Sequence, residues 1–132
     1  MILLKIMQTN TVETRIHVGT YRFSLYHVEL YLSPSMIGGS FNCRPDSSKV
    51  AEIDIGSAGG WRQIMVNLVH ESMELALLEV GGRFTVDGVG VSGHDMYSFH
   101  VDHPKFSEAC NRVGLFMSEC VEPLRKAYES TV

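Results

Sequence analysis

No block of basic residues occurs anywhere in this chain. Its 11 Lys and Arg are interspersed among 15 Asp and Glu, for a formal net charge of −4. The cationic surface that phosphate-backbone binding requires is therefore missing, which argues against nucleic acid as a direct partner. No apolar run approaches the ~20 residues that a membrane-spanning helix needs, so no membrane span is expected either. Cysteine is scarce: Cys43, Cys110 and Cys120 are an odd number with no C-x-x-C pair. That is the pattern of reduced thiols packed in a cytoplasmic protein, not of a disulfide framework. Low-complexity tracts are absent too, and 45% hydrophobic with 20% charged residues is the composition of a folded globular protein. A length of 132 residues predicts a single domain, 1–132, with no room for a second core.

What is present begins with an apolar stretch, residues 1–7, that polar Gln8-Thr-Asn-Thr follows at once. Without a cleavage site it reads as a strand, not as a targeting segment. Residues 12–18 and 21–32 alternate and are rich in Thr, Ile, Val, Tyr and Phe, and Gly19-Thr20 between them predicts a β-hairpin. His27 and Glu29 share one face of the second arm, where polar neighbours are expected to be cross-strand partners. Ser33-Pro34-Ser35 ends that arm, residues 43–48 are turn formers, and residues 49–55 alternate again up to Gly56. No crossover helix separates these strands, so they are expected to run antiparallel. Later, residues 83–86 and 96–101 flank the glycine-rich segment 87–93. That segment contains G-x-G-x-x-G at Gly88, Gly90 and Gly93, yet no helix opens at the third glycine and no βαβ unit surrounds it. It is read as a hairpin tip or lid, not a dinucleotide site.

Two segments are helical. Residues 60–82 are bracketed by Gly59-Gly60 and Gly81-Gly82, which free the backbone at both ends. At 100° per residue, Trp61, Ile64, Met65, Leu68, Ser72, Leu75 and Ala76 share one face, while Gln63, Asn67, His70, Glu71 and Glu74 gather on another. Val66, Val69, Met73 and Leu77 border that polar stripe on one side and Leu78 falls within it, so it is narrow and impure for a free surface and something is expected to cover part of it. A protein or peptide partner is expected, with a homo-oligomer as a further option. The second helix starts at Asp102-His103-Pro104, a capping residue followed by a proline suited to the first turn. Its apolar stripe is Phe106, Ala109, Cys110, Val113, Met117, Cys120 and Leu124, Pro123 is expected to kink it or to start a new segment, and residues 126–132 are expected to fray. The fold class that results is α+β: an antiparallel β-sheet of four to six strands with two long α-helices packed on one face.

The chemistry is concentrated in the first helix. His70-Glu71-Ser72-Met73-Glu74 reads H-E-x-x-E, where a metalloprotease helix reads H-E-x-x-H. Residues i and i+4 lie one turn apart and can hold one zinc ion, Zn²⁺ accepts a carboxylate oxygen as well as an imidazole, and the Glu at i+1 is placed to act as base on metal-bound water. His70 and Glu74 are thus the candidate ligands and Glu71 the candidate catalytic base. A further ligand is sought at the start of the second helix, where His103 is preferred over His100, and Asp102 either ligates or orients a histidine. Against this stands the plainer reading of a hydrated polar face.

The string Leu68-Val-His-Glu-Ser-Met-Glu-Leu-Ala-Leu77, followed after an insert by Asp102-His-Pro-Lys-Phe-Ser and an apolar helix, resembles small phage and prophage proteins that carry a degenerate zincin-like helix. That resemblance, over about residues 60–125, implies a second helix that supplies a ligand and a zinc-dependent peptidase activity. Glu74 departs from the histidine of active zincins. Two functions are therefore carried forward: a zinc-dependent peptidase, and a non-catalytic accessory or host-directed binding module in which the His/Glu cluster is structural.

Overall fold

The computed structural model describes residues 15–44, 48–85 and 97–132. Among them are strands β1 (Ile16–Phe23), β2 (Tyr26–Ser33), β3 (Gly39–Cys43) and β4 (Val50–Gly56), helix α1 (Trp61–Glu79), strands β5 (Arg83–Thr85) and β6 (Tyr97–Phe99), and helix α2 (His103–Glu129). The class is α+β. The expected strand at residues 1–7 and the glycine-rich segment 87–93 lie outside the described residues.

The main sheet has the order β1-β2-β4-β3. It is mixed, not wholly antiparallel: β1 pairs β2 and β3 pairs β4 antiparallel, but β2 and β4 run parallel, with Leu30 opposite Ile53. The expectation assumed that a parallel pair needs a crossover helix. Here β3 carries the chain back instead, and β4 then inserts between β3 and β2. Composition explains the placement. β4 carries fully buried Ala51, Ile53 and Ile55 and belongs inside, where both backbone edges are paired, while β3, with Gly39, Ser40 and Asn42, suits an edge. The hairpin turn also differs from expectation. Gly19-Thr20 lies within β1 beside a register irregularity between His17 and Gly19, and the turn is Ser24-Leu25, with Ser24 at φ 52 and Phe23 paired to Tyr26. Gly19 therefore marks a register irregularity within the strand and not the turn.

One face of the sheet is apolar. Val28, Leu30 and Leu32 of β2 and the three β4 residues are fully buried and join Ile64, Leu68, Leu75 and Ala76 of α1 with Ala109, Val113, Phe116, Cys120 and Leu124 of α2 in a single core. Phe116 meets Phe23 edge-on at 5.3 Å, whereas Phe106 and Cys110, expected in the α2 stripe, are exposed. The buried face of α2 is turned slightly from the expected stripe and centres on Ala109, Val113, Phe116, Cys120 and Leu124. Pro123 lies inside α2, which continues to Glu129, so the helix neither ends there nor frays as early as expected. The opposite face of the sheet is polar. Glu29 accepts hydrogen bonds from Thr20 and, at 3.0 Å, from the His17 ring, and Arg15 pairs with Glu52 at 3.3 Å.

Helix α1 begins as its glycines require. Gly60 is the N-cap with φ 89, and Gly81 beyond the C-terminus has φ 77, a left-handed conformation that costs glycine little. α2 is capped by Asp102, whose carboxylate accepts the Lys105 N–H at 2.9 Å. The helices lie antiparallel: Trp61 at the start of α1 stacks on Tyr128 near the end of α2, and Glu79 at the end of α1 bonds Arg112.

Candidate metal centre

α1 crosses β4 and β3, and the sides of the helix that flank its core stripe face different surroundings. Ile64, Leu68 and Leu75 point into the core; Val66 and Val69 are exposed. Asn67 and Glu71 turn toward the β3 side. Asn67 is buried, and its side-chain amide donates to the Ile37 carbonyl at 2.8 Å and accepts from Gln63 at 3.0 Å. Glu71 is only 6% exposed, so it does not belong to a hydrated stripe. Its position foretold this: Glu71 is three residues after Leu68 and four before Leu75, flanked on both sides by core positions.

His70, Glu71 and Glu74 converge. The His70 Nε2 atom lies 3.7 Å from Glu74 Oε2 and 3.9 Å from Glu71 Oε2, and one ligand atom from each of the three residues falls within 4.8 Å of the other two. Ligand atoms on one tetrahedral zinc at about 2.1 Å sit roughly 3.4 Å apart. The cluster is therefore wider than a bound ion would hold it. The His70 side chain is 64% exposed, which leaves the cluster open to solvent, and an imidazole with two carboxylates is a donor set that zinc and neighbouring divalent metals accept. Burial raises the Glu71 carboxyl above its ordinary range; His70 works against that shift, and the Glu74 carboxylate, hydrogen-bonded to Glu71, adds to it. A cation placed among the three would relieve the crowding of the two acids.

His103 does not join this group. Because Trp61 is level with Tyr128 and Glu79 with Arg112, His70 is level with Glu119 and Cys120. His103 lies about 16 residues further along α2, roughly 25 Å at 1.5 Å per residue. The antiparallel arrangement of the helices, which no local pattern announces, places it beyond the far end of α1. Asp102 is engaged as the cap, and His100 meets Ser98 through its Nε2 atom at 2.9 Å.

The residues that sequence reasoning missed are Asn67 as a buried tether and Gly39 of β3, where an added Cβ would lie 3.2 Å from the Glu71 Cγ atom. No family model, no curated protein and no solved structure matches this chain. The likeness to zincin-type phage helices rests on the residues quoted above alone. Among the described residues, no helix is long and apolar enough to cross a membrane.

Proposed function

We propose that this chain binds a divalent metal cation, zinc foremost, through His70, Glu71 and Glu74, and that it works as a zincin-like binding module, not as a peptidase. The observation that carries the reading is the meeting of the three donor atoms on one helix, with His70 open to solvent. Binding is favoured over hydrolysis by a count of roles. If Glu71 is a ligand, no base remains in the cluster; if Glu71 is the base, only two ligands remain among the described residues, one fewer than a catalytic zinc site uses.

Elemental analysis of protein purified without added metal, followed by calorimetric zinc titration, tests the reading. About one zinc per chain is expected, and His70→Ala and Glu74→Ala should each weaken binding roughly tenfold or more while leaving a folded protein. A stoichiometry well below one per chain with zinc supplied removes the proposal.

One observation favours the peptidase as a second reading. β3 is an edge strand of the described sheet, and the cluster lies beside it, so an extended peptide paired to β3 would pass close to the ion. Residues 49–55 cannot take this role, because β4 is interior. Peptide hydrolysis by wild type that Glu71→Gln abolishes, with zinc content unchanged, would establish this reading instead.

A further inference from the structure

We infer that Gly39 is the positioning residue of the metal centre: the absence of a side chain on β3 at this point lets the Glu71 carboxylate reach His70 and Glu74. This rests on the cation-binding reading above and extends it to a residue that contacts no metal. A Cβ at Gly39 would lie 3.2 Å from Glu71 Cγ, 3.3 Å from Glu71 Oε2 and 3.2 Å from the Asp54 carbonyl oxygen. Each of these is closer than ordinary van der Waals contact, so something must give.

The strand is poorly able to retreat. Gly39 is registered opposite Ile55 in the β3–β4 pairing, Gly38 accepts the Gly56 N–H at 2.7 Å, and the Ile37 carbonyl is held by Asn67 of α1 at 2.8 Å. Asn67 sits one helical turn before Glu71, so the same helix that presents the carboxylate also fixes its distance from the strand. The Asp54 oxygen is backbone of the interior strand β4 and is equally constrained. Of the three neighbours only the Glu71 side chain has rotamers to spare, and a methyl group at residue 39 would turn its carboxylate away from His70. Gly39 has no left-handed φ, so the demand for glycine comes from space and not from backbone conformation.

Gly38 supplies the control. It neighbours Gly39 and has nothing within 4 Å of a built Cβ, so Gly38→Ala adds the same methyl group where it meets nothing. Zinc affinity would be measured by calorimetry for wild type, Gly38→Ala, Gly39→Ala, Glu71→Gln and the Gly39→Ala/Glu71→Gln double variant, with a thermal melt of each. The expected result is wild-type affinity for Gly38→Ala and a loss of roughly 10- to 100-fold for Gly39→Ala, the range for residues that orient ligands. No further loss should appear when Gly39→Ala is added to Glu71→Gln, because the two act through the same carboxylate. Should Gly39→Ala be too unstable to titrate, its melting temperature alone decides: Glu71→Ala introduced beside it removes two of the three close contacts, leaving the Asp54 carbonyl, and should recover part of the lost melting temperature. Wild-type affinity in Gly39→Ala, an equal loss in the Glu71→Gln background, or no recovery by Glu71→Ala overturns the inference while the cation reading stands. Failure of wild type itself to bind removes both.

Discussion

Glu79 and Arg112 form an ion pair of 3.0 Å in which the Glu79 side chain has no exposed surface. The other Glu79 oxygen accepts the Leu25 N–H at 3.0 Å, and the Tyr26 backbone also bonds to the carboxylate. A single buried carboxylate thus ties the tip of the β1–β2 hairpin to the end of α1 and the middle of α2. Burial raises its pKa, and the Arg112 guanidinium acts in the opposite direction.

Glu79→Ala should therefore destabilise the protein by about 2 kcal/mol, because the Leu25 and Tyr26 N–H groups lose their buried acceptor, while Arg112 keeps Glu108 at 3.2 Å. Urea unfolding measures this. A loss below about 1 kcal/mol would mean that the hairpin tip is held by apolar contacts alone.

Glu71 links stability to binding in opposite senses. Its folded pKa is raised, so its contribution to stability is complete below the ordinary carboxylate value and is lost as pH climbs through the raised value. Glu71→Gln has no such loss. In the presence of chelator at pH 7 the variant should melt at or above the wild-type temperature, with the difference closing toward acid pH, yet it should bind zinc more weakly. A variant less stable than wild type under those conditions would show that the carboxylate supports the metal-free fold.

Glu29 has the reverse sign. The hydrogen bond from Thr20 lowers its pKa, desolvation by burial works against this, and His17 adds to the lowering. Its stabilisation is present above the ordinary value of 4.5 and is lost as pH falls through the depressed folded value. Glu29→Gln should flatten the acid limb of a stability–pH curve, and Thr20→Val should flatten it in part. Unchanged acid limbs in both variants would count against the outer-face network.

The cysteines should separate by reactivity. Cys110 is exposed, while Cys120 is fully buried and its thiol is pushed up to about 12. A thiol reagent at pH 8 should label Cys110 within minutes and Cys120 only on unfolding, because the thiolate is the reactive species. Labelling of both at equal rates in the native protein would place Cys120 at the surface.

Much of α1 was legible because it is a local object. Glycines at both ends and a 3.6-residue period mark where it starts, where it stops and which residues face inward, and the structure agrees over Trp61–Glu79. The pairing of His70 with Glu74 is legible for the same reason, since a spacing of four residues stacks two side chains one turn apart on a helix. The burial of Glu71 is legible only in the apolar Leu68 and Leu75 that flank it, against its own polar identity, and its meeting with His70 is not, since adjacent residues point about 100° apart on a helix. The hairpin turn was misplaced because a glycine in an alternating segment signals a turn or a bulge alike, and only the partner strand chooses between them.

The sequence by itself determined both helices, the strand character of β1, β2 and β4 and the spacing of donors along α1, since helix period, glycine ends and strand alternation are properties of a few neighbouring residues; β3, short and poor in apolar residues, is defined by its pairing to β4. Only the tertiary structure decided that β4 lies parallel to β2 inside the sheet, that the helices run antiparallel and carry His103 away from His70, and that Gly39 lies against Glu71. These are relations between residues far apart in the chain. They are selected by which arrangement buries the apolar faces of β2, β4, α1 and α2 together, and that is a choice no local pattern encodes.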